Sequence, residues 1–173
     1  YELSTEKARQ ALPRELPYKD AVYNVSRVGL LPAAMNPMVL AQAAQQGKSG
    51  VAAAPAQDAD TCACAGGTRE SPFADELAAA QAQSNALLFT ATQDKLHQPY
   101  RGTLMPPSTE LIALFRSKGY AAAVSGAGPC VLVLHYGNAR EDIDQIASEQ
   151  LASGHWRVLH LPINTAGVEI ERR

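Results

Sequence analysis

The sequence predicts an α+β fold: a ferredoxin-like βαβ sheet with helices packed mainly on one face. Three observations lead there. Tyr120–Val124 and Cys130–Tyr136 are short strand-like segments on either side of a glycine-rich turn. Trp156–Leu161 alternates like a half-buried strand, and Gly167–Glu171 suits an edge strand. The rest is dominated by segments with apolar residues at helical spacing.

The 173 residues suit one domain with its own core. A charged fraction of 18% and an apolar fraction of 46% argue against disorder along the whole chain. A net charge of −2 argues against nucleic-acid binding, which asks for a basic face. No apolar run approaches the roughly 20 residues of a membrane span. Three cysteines, two of them in Cys62-Ala63-Cys64, do not make a disulfide framework, so a reducing, cytoplasmic setting is expected. The first residues, Tyr1-Glu2-Leu3, carry no initiator Met, which reads as a chain processed or cut from something larger.

Ser4-Thr5-Glu6-Lys7-Ala8-Arg9 opens a helix that either hydroxyl can cap, and Pro13 and Pro17 hold it to about two turns. A second helix is expected over Lys19–Leu31, kinked or broken at Pro32 and Pro37 and resuming over Met38–Gln46. Residues 47–70, rich in Gly, Ala, Ser and Pro, read as a flexible insertion. Ser71-Pro72 starts a helix running towards Phe89, with Ser71 as its cap. Pro107 to Gly119 forms another, with Leu111, Ile112, Leu114 and Phe115 on its apolar face. Asn138 is expected to cap one further helix through Ile143, Ile146 and Leu151, stopped by Gly154.

Three segments can carry chemistry. In Ser125-Gly126-Ala127-Gly128-Pro129 the glycines permit positive φ, and successive amides can form an anion-binding nest; a plain tight turn between strands is the alternative. In His97-Gln98-Pro99-Tyr100-Arg101 the Arg101 fork suits a carboxylate or phosphate, and Gln98-Pro99 is expected to be extended; a solvated surface arginine is the alternative. Thr5 and Arg9 share a face of the first helix and can hold a small anion together. Metal binding is not expected, because the four histidines show no ligand spacing and the paired cysteines fall in the insertion.

These segments, with Asp20-Ala21-Val22-Tyr23-Asn24-Val25-Ser26-Arg27 between them, resemble the carboxy-terminal half of the homoserine kinase family within the GHMP small-molecule kinases. The glycine turn alone marks only the superfamily. The Ser-Thr-x-x-Ala-Arg and His-Gln-Pro-Tyr-Arg segments point to homoserine kinases. The resemblance implies that residues 1–173 are a GHMP kinase C-terminal, substrate-side domain. The activity it implies is transfer of the ATP γ-phosphoryl group to L-homoserine, for threonine synthesis. Arg9 and Arg101 would clasp the amino-acid carboxylate, and Thr5 would lie at the reacting groups. Ser125, Gly126, Ala127 and Gly128 would pack beside the phosphates, with Asn24 and His97 in support. The family's phosphate loop, a Pro-x-x-x-Gly-Leu-Gly-Ser-Ser-Ala-Ala segment, is not within these residues. ATP and Mg²⁺ are therefore expected to be held mainly by an amino-terminal domain outside them, and the chain alone is expected to be inactive. A homodimer through the apolar helix at 22–31 is left open. Another GHMP kinase acting on a mevalonate- or sugar-type alcohol, or a ferredoxin-like regulatory or oligomerisation module, are the alternative readings.

Overall fold

The computed structural model describes residues 3–42 and 72–162. The expected insertion at 47–70, the Ser71 cap and the edge strand at 167–171 lie outside them. The chain divides into two units, Tyr1–Gly137 and Asn138–Arg173.

The first unit opens with α1 (Thr5–Gln10), α2 (Tyr18–Val28), α3 (Leu31–Ala34) and a further helix, α4, over 37–42. Ser4 stands at the cap position of α1, but no side-chain hydroxyl caps it; the turn is closed by backbone bonds such as Ala8 N–H to the Ser4 carbonyl at 3.0 Å. Pro32 and Pro37 occupy first turns. They start helices rather than interrupt one, because the first turn needs no N–H from its proline. The long helix α5 (Pro72–Ala91) presents Ala80, Ser84, Leu88 and Ala91 at helical spacing, all buried. Leu88 packs with Ala34 of α3 and with Ala121, with Leu31, Leu87, Phe89, Leu134 and Tyr136 around them.

A short helix α6 (Gln98–Arg101) and one 3₁₀ turn (Gly102–Leu104) lead into α7 (Pro106–Ser117). Leu111, Ile112 and Phe115 of α7 are buried as expected, and Gly119 follows with φ +88°. The strands are β1 (Ala121–Val124) and β2 (Val131–Leu134), paired antiparallel with Ala121 opposite Leu134 and Val124 opposite Val131. Ala121 and Ala122 are buried, whereas Leu132 is 44% exposed, so β2 is a partly open strand.

Two side chains lock this layer. Asn85 of α5 bonds both backbone groups of Tyr136, donating to the carbonyl (3.1 Å) and accepting from the N–H (2.7 Å). Arg116 of α7 donates to the Phe89 carbonyl (2.7 Å), the Ala122 carbonyl (3.0 Å) and Thr92 Oγ1 (3.1 Å), and its guanidinium stacks on the Phe89 ring. One cation thus joins the end of α5, α7 and β1.

In the second unit the single helix expected from Asn138 is two, α8 (Arg140–Ile146) and α9 (Ser148–Ala152). Ala139, not Asn138, precedes the first of them, and Ala147 leaves helical geometry with φ −90° and ψ 8°. Trp156–Leu161 is not a strand. Val158, Leu159 and Leu161 are all exposed, so the alternation in the sequence does not become alternation in burial, and no ladder satisfies this backbone among the described residues. The described strands form one hairpin, so the described residues are α+β with a two-stranded antiparallel sheet.

Candidate functional site

The site forms where α1, α6 and the glycine turn meet, and Arg101 is the residue that joins them. Its Nε donates to the Ala8 carbonyl of α1 (3.1 Å) and its Nη1 to the Gly126 carbonyl (3.4 Å). The guanidinium has five N–H donors, and the others are uncommitted among the described residues. A pocket of about 290 Å³ opens here, lined by Asp94, His97, Gln98, Arg101, Val124 and Gly126.

The segment carrying Arg101 is helical, not extended as Gln98-Pro99 suggested. Pro99 lies in the first turn of α6, where its missing N–H costs nothing. Asp94 makes that turn possible. Its Oδ2 accepts the N–H groups of His97 (2.8 Å) and Gln98 (2.5 Å), and its Oδ1 accepts that of Leu96 (3.0 Å) and the side-chain amide of Asn24. The Asn24 oxygen in turn accepts the Lys95 N–H at 2.9 Å. Burial on its own would raise the Asp94 carboxyl, but the donors of Gln98, Asn24, Leu96 and His97 outweigh it and hold the group below the usual carboxylate range. Asn24 therefore acts through Asp94, and His97 is exposed at the rim with Nδ1 3.5 Å from the Asp94 carboxylate.

The turn itself is closed by the Ser125 N–H to the Cys130 carbonyl (2.8 Å) and the Gly128 N–H to the Ser125 carbonyl (3.1 Å). Gly126 and Gly128 have φ +63° and +89°. The amides of Gly126 and Ala127 have no partner among the described residues, which leaves two adjacent donors for an anion. Gln98 Oε1 accepts the Val124 N–H (3.2 Å) and ties α6 to the strand that feeds this turn.

Of the residues expected from the sequence, Arg101, Gly126 and His97 converge on one pocket, with Asn24 behind it. Arg9 and Thr5 lie on the exposed face of α1 and do not line the pocket. Asp94 is not among the candidates the sequence offers and Gln98 is there only as the residue before Pro99, although an acidic residue shortly before a proline-containing first turn is a capping signal.

Among the described residues no group of three His, Cys, Asp or Glu comes together to hold a metal ion. Asp94 is the one carboxylate lining the pocket, and its oxygens are already taken by four donors. These residues do not fit a Mg²⁺ site. No helix among the described residues is long and apolar enough to cross a membrane.

Residues 73–153, which include the pocket, match the family model of the GHMP kinases C-terminal domain. The chain is 31% identical over 170 residues to the homoserine kinase of Clavibacter michiganensis subsp. michiganensis and 33% identical over 174 residues to that of Leifsonia xyli subsp. xyli. Each alignment covers 98% of this chain. Residues 73–153 belong to the C-terminal family of the GHMP kinases. The chain's likeness to homoserine kinases reaches the yeast enzyme of Saccharomyces cerevisiae, at 28% identity over 176 residues. The chain spans 39%, 38% and 37% of the length of these three relatives. Thr5, Arg9 and Asn24 fall outside the residues matched by the GHMP kinase model, whereas Arg101 and the glycine turn fall within them.

Proposed function

We propose that the chain is the substrate-side part of a homoserine kinase, in which the side-chain hydroxyl of L-homoserine attacks the γ-phosphorus of ATP. The new P–O bond replaces the β,γ-bridging one, the hydroxyl proton leaves to a base, and the products are O-phospho-L-homoserine and ADP. In this reading the enzyme works in the cytoplasm in threonine synthesis, and its hairpin is part of a ferredoxin-like sheet.

The observation that carries the reading is the Arg101 guanidinium, fixed at the pocket by two backbone carbonyls with its other donors uncommitted among the described residues. A planar cation held this way suits the fork of a carboxylate. It orients the amino acid so that its hydroxyl points at the phosphate, and orientation is most of what phosphoryl transfer asks of a protein. The Gly126 and Ala127 amides, unpartnered among the described residues, belong to the turn that Arg101 touches and suit the phosphate side. In this reading Arg9, next in sequence to the Ala8 carbonyl that Arg101 holds, is the second cation of the clasp and Thr5 serves the reacting groups, both from the exposed face of α1 outside the pocket's lining.

The test is steady-state kinetics on the full-length enzyme with Arg101→Ala and Arg9→Ala. Loss of a charged hydrogen bond to the carboxylate is expected to raise the homoserine KM roughly 10- to 100-fold, with the ATP KM nearly unchanged. An unchanged homoserine KM in both variants overturns the assignment.

A further inference from the structure

We propose that Asp94 is the positioning residue for Arg101: its carboxylate, held by Asn24, pins the first turn of α6 and so sets where the guanidinium stands in the pocket. The role of that guanidinium in gripping substrate rests on the kinase reading above; its placement by Asp94 does not.

Asp94 takes the N–H groups of Leu96, His97 and Gln98, which no other group bonds among the described residues. The His97 carbonyl then accepts the Arg101 N–H at 3.0 Å, so Arg101 stands one helical turn from the pinned end. The Gln98 side chain, fixed on the same turn, bonds the Val124 N–H next to the glycine turn that Arg101 also touches. Asn24, from α2 and 70 residues away in sequence, grips the carboxylate from behind and accepts the Lys95 N–H. A helix of four residues has no internal stability of its own. Its place is set by what holds its ends, and one carboxylate holds one of them. Asparagine at position 94 would keep one oxygen but turn an NH₂ group towards backbone donors, so the turn would lose acceptors and Arg101 its register.

The experiment uses the full-length protein with Asp94→Asn and Asn24→Ala, each alone and combined with Arg101→Lys. Homoserine and ATP are varied separately, and solvent exchange of the Arg101 Nε–H, which is bonded to the Ala8 carbonyl, is followed by NMR in the arginine-labelled protein. Asp94→Asn is expected to raise the homoserine KM roughly tenfold, to move kcat and the ATP KM far less, and to speed exchange of the Arg101 Nε–H. In the Arg101→Lys background the same change is expected to add little, because the residue it acts through is gone. Equal effects in both backgrounds mark a merely structural role and overturn the proposal. Should Asp94→Asn not fold, Asn24→Ala, which leaves the three backbone bonds in place, carries the same expectations at smaller size. If the full-length enzyme does not phosphorylate homoserine, the kinase reading fails; the exchange readout then decides positioning alone, and unchanged exchange of the Arg101 Nε–H overturns it.

Discussion

A β-carbon on Gly128 would stand 2.4 Å from Met105 Sδ and 3.3 Å from Val124 Cγ1, at a φ of +89° that L side chains rarely adopt. Met105 is fully buried, so its thioether cannot swing into solvent to make room. The glycine is therefore required twice over, for its dihedral and for its lack of bulk, and the turn lies on a packed floor rather than hanging from two strand ends. Ser108 Oγ adds a 2.6 Å hydrogen bond to the Pro129 carbonyl from the start of α7. Gly128→Ala is expected to cost about 2–4 kcal/mol, the sum of backbone strain and overpacking. Urea unfolding of the variant measures it. Combined with Met105→Ala the clash is relieved, and the two losses should add to less than their sum. Full additivity would show that the side chain of Met105 is not what the turn rests on.

Among the elements, α6 shows what a sequence does and does not disclose. The helices with a sustained apolar face are legible: α2 and α7 stand within a few residues of where spacing and glycine punctuation put them, and so does the β1–β2 hairpin around its turn. What was hidden depended on partners distant in sequence. Gln98-Pro99 favours extended backbone locally, and the helix exists because Asp94 caps it and Asn24 holds Asp94 across 70 residues. Trp156–Leu161 has a strand's alternation but no ladder among the described residues, since pairing belongs to two segments and not to one. Arg101 and Arg9 look alike in the sequence, yet only Arg101 lines the pocket, because burial beside α1 is a property of packing. The capping carboxylate also predicts a pH dependence. A carboxyl held below its usual range stabilises the folded form above its unfolded pKa and loses that contribution as pH falls through the folded value. Thermal melting of the native protein and of Asp94→Asn should therefore differ at neutral pH and converge below about pH 4. A gap that persists unchanged to lower pH would show that the ionised carboxylate is not what holds α6.

For the molecule as a whole, what the pocket provides bounds what the chain is expected to do alone. It provides one pinned guanidinium and a carboxylate already saturated with donors, beside a turn whose Gly126 and Ala127 amides have no partner among the described residues. In the kinase reading proposed above, that set orients a small carboxylate-bearing alcohol. Moving a γ-phosphoryl group asks for more: a cradle for the β- and γ-phosphates and cations to neutralise charge as the bond to ADP breaks. The family's glycine-serine phosphate loop is not within the 173 residues, and the homoserine kinases they match are more than twice as long. The isolated chain, mixed with ATP and homoserine, is accordingly expected to release ADP no faster than a blank, while the full-length protein turns over. Circular dichroism of the same sample guards against a trivial negative by showing that the helices are formed. Turnover by the folded 173-residue chain at a rate near that of the full-length enzyme would mean that the nucleotide is held by residues of this chain, and the division of labour between a substrate side and a nucleotide side would have to be abandoned.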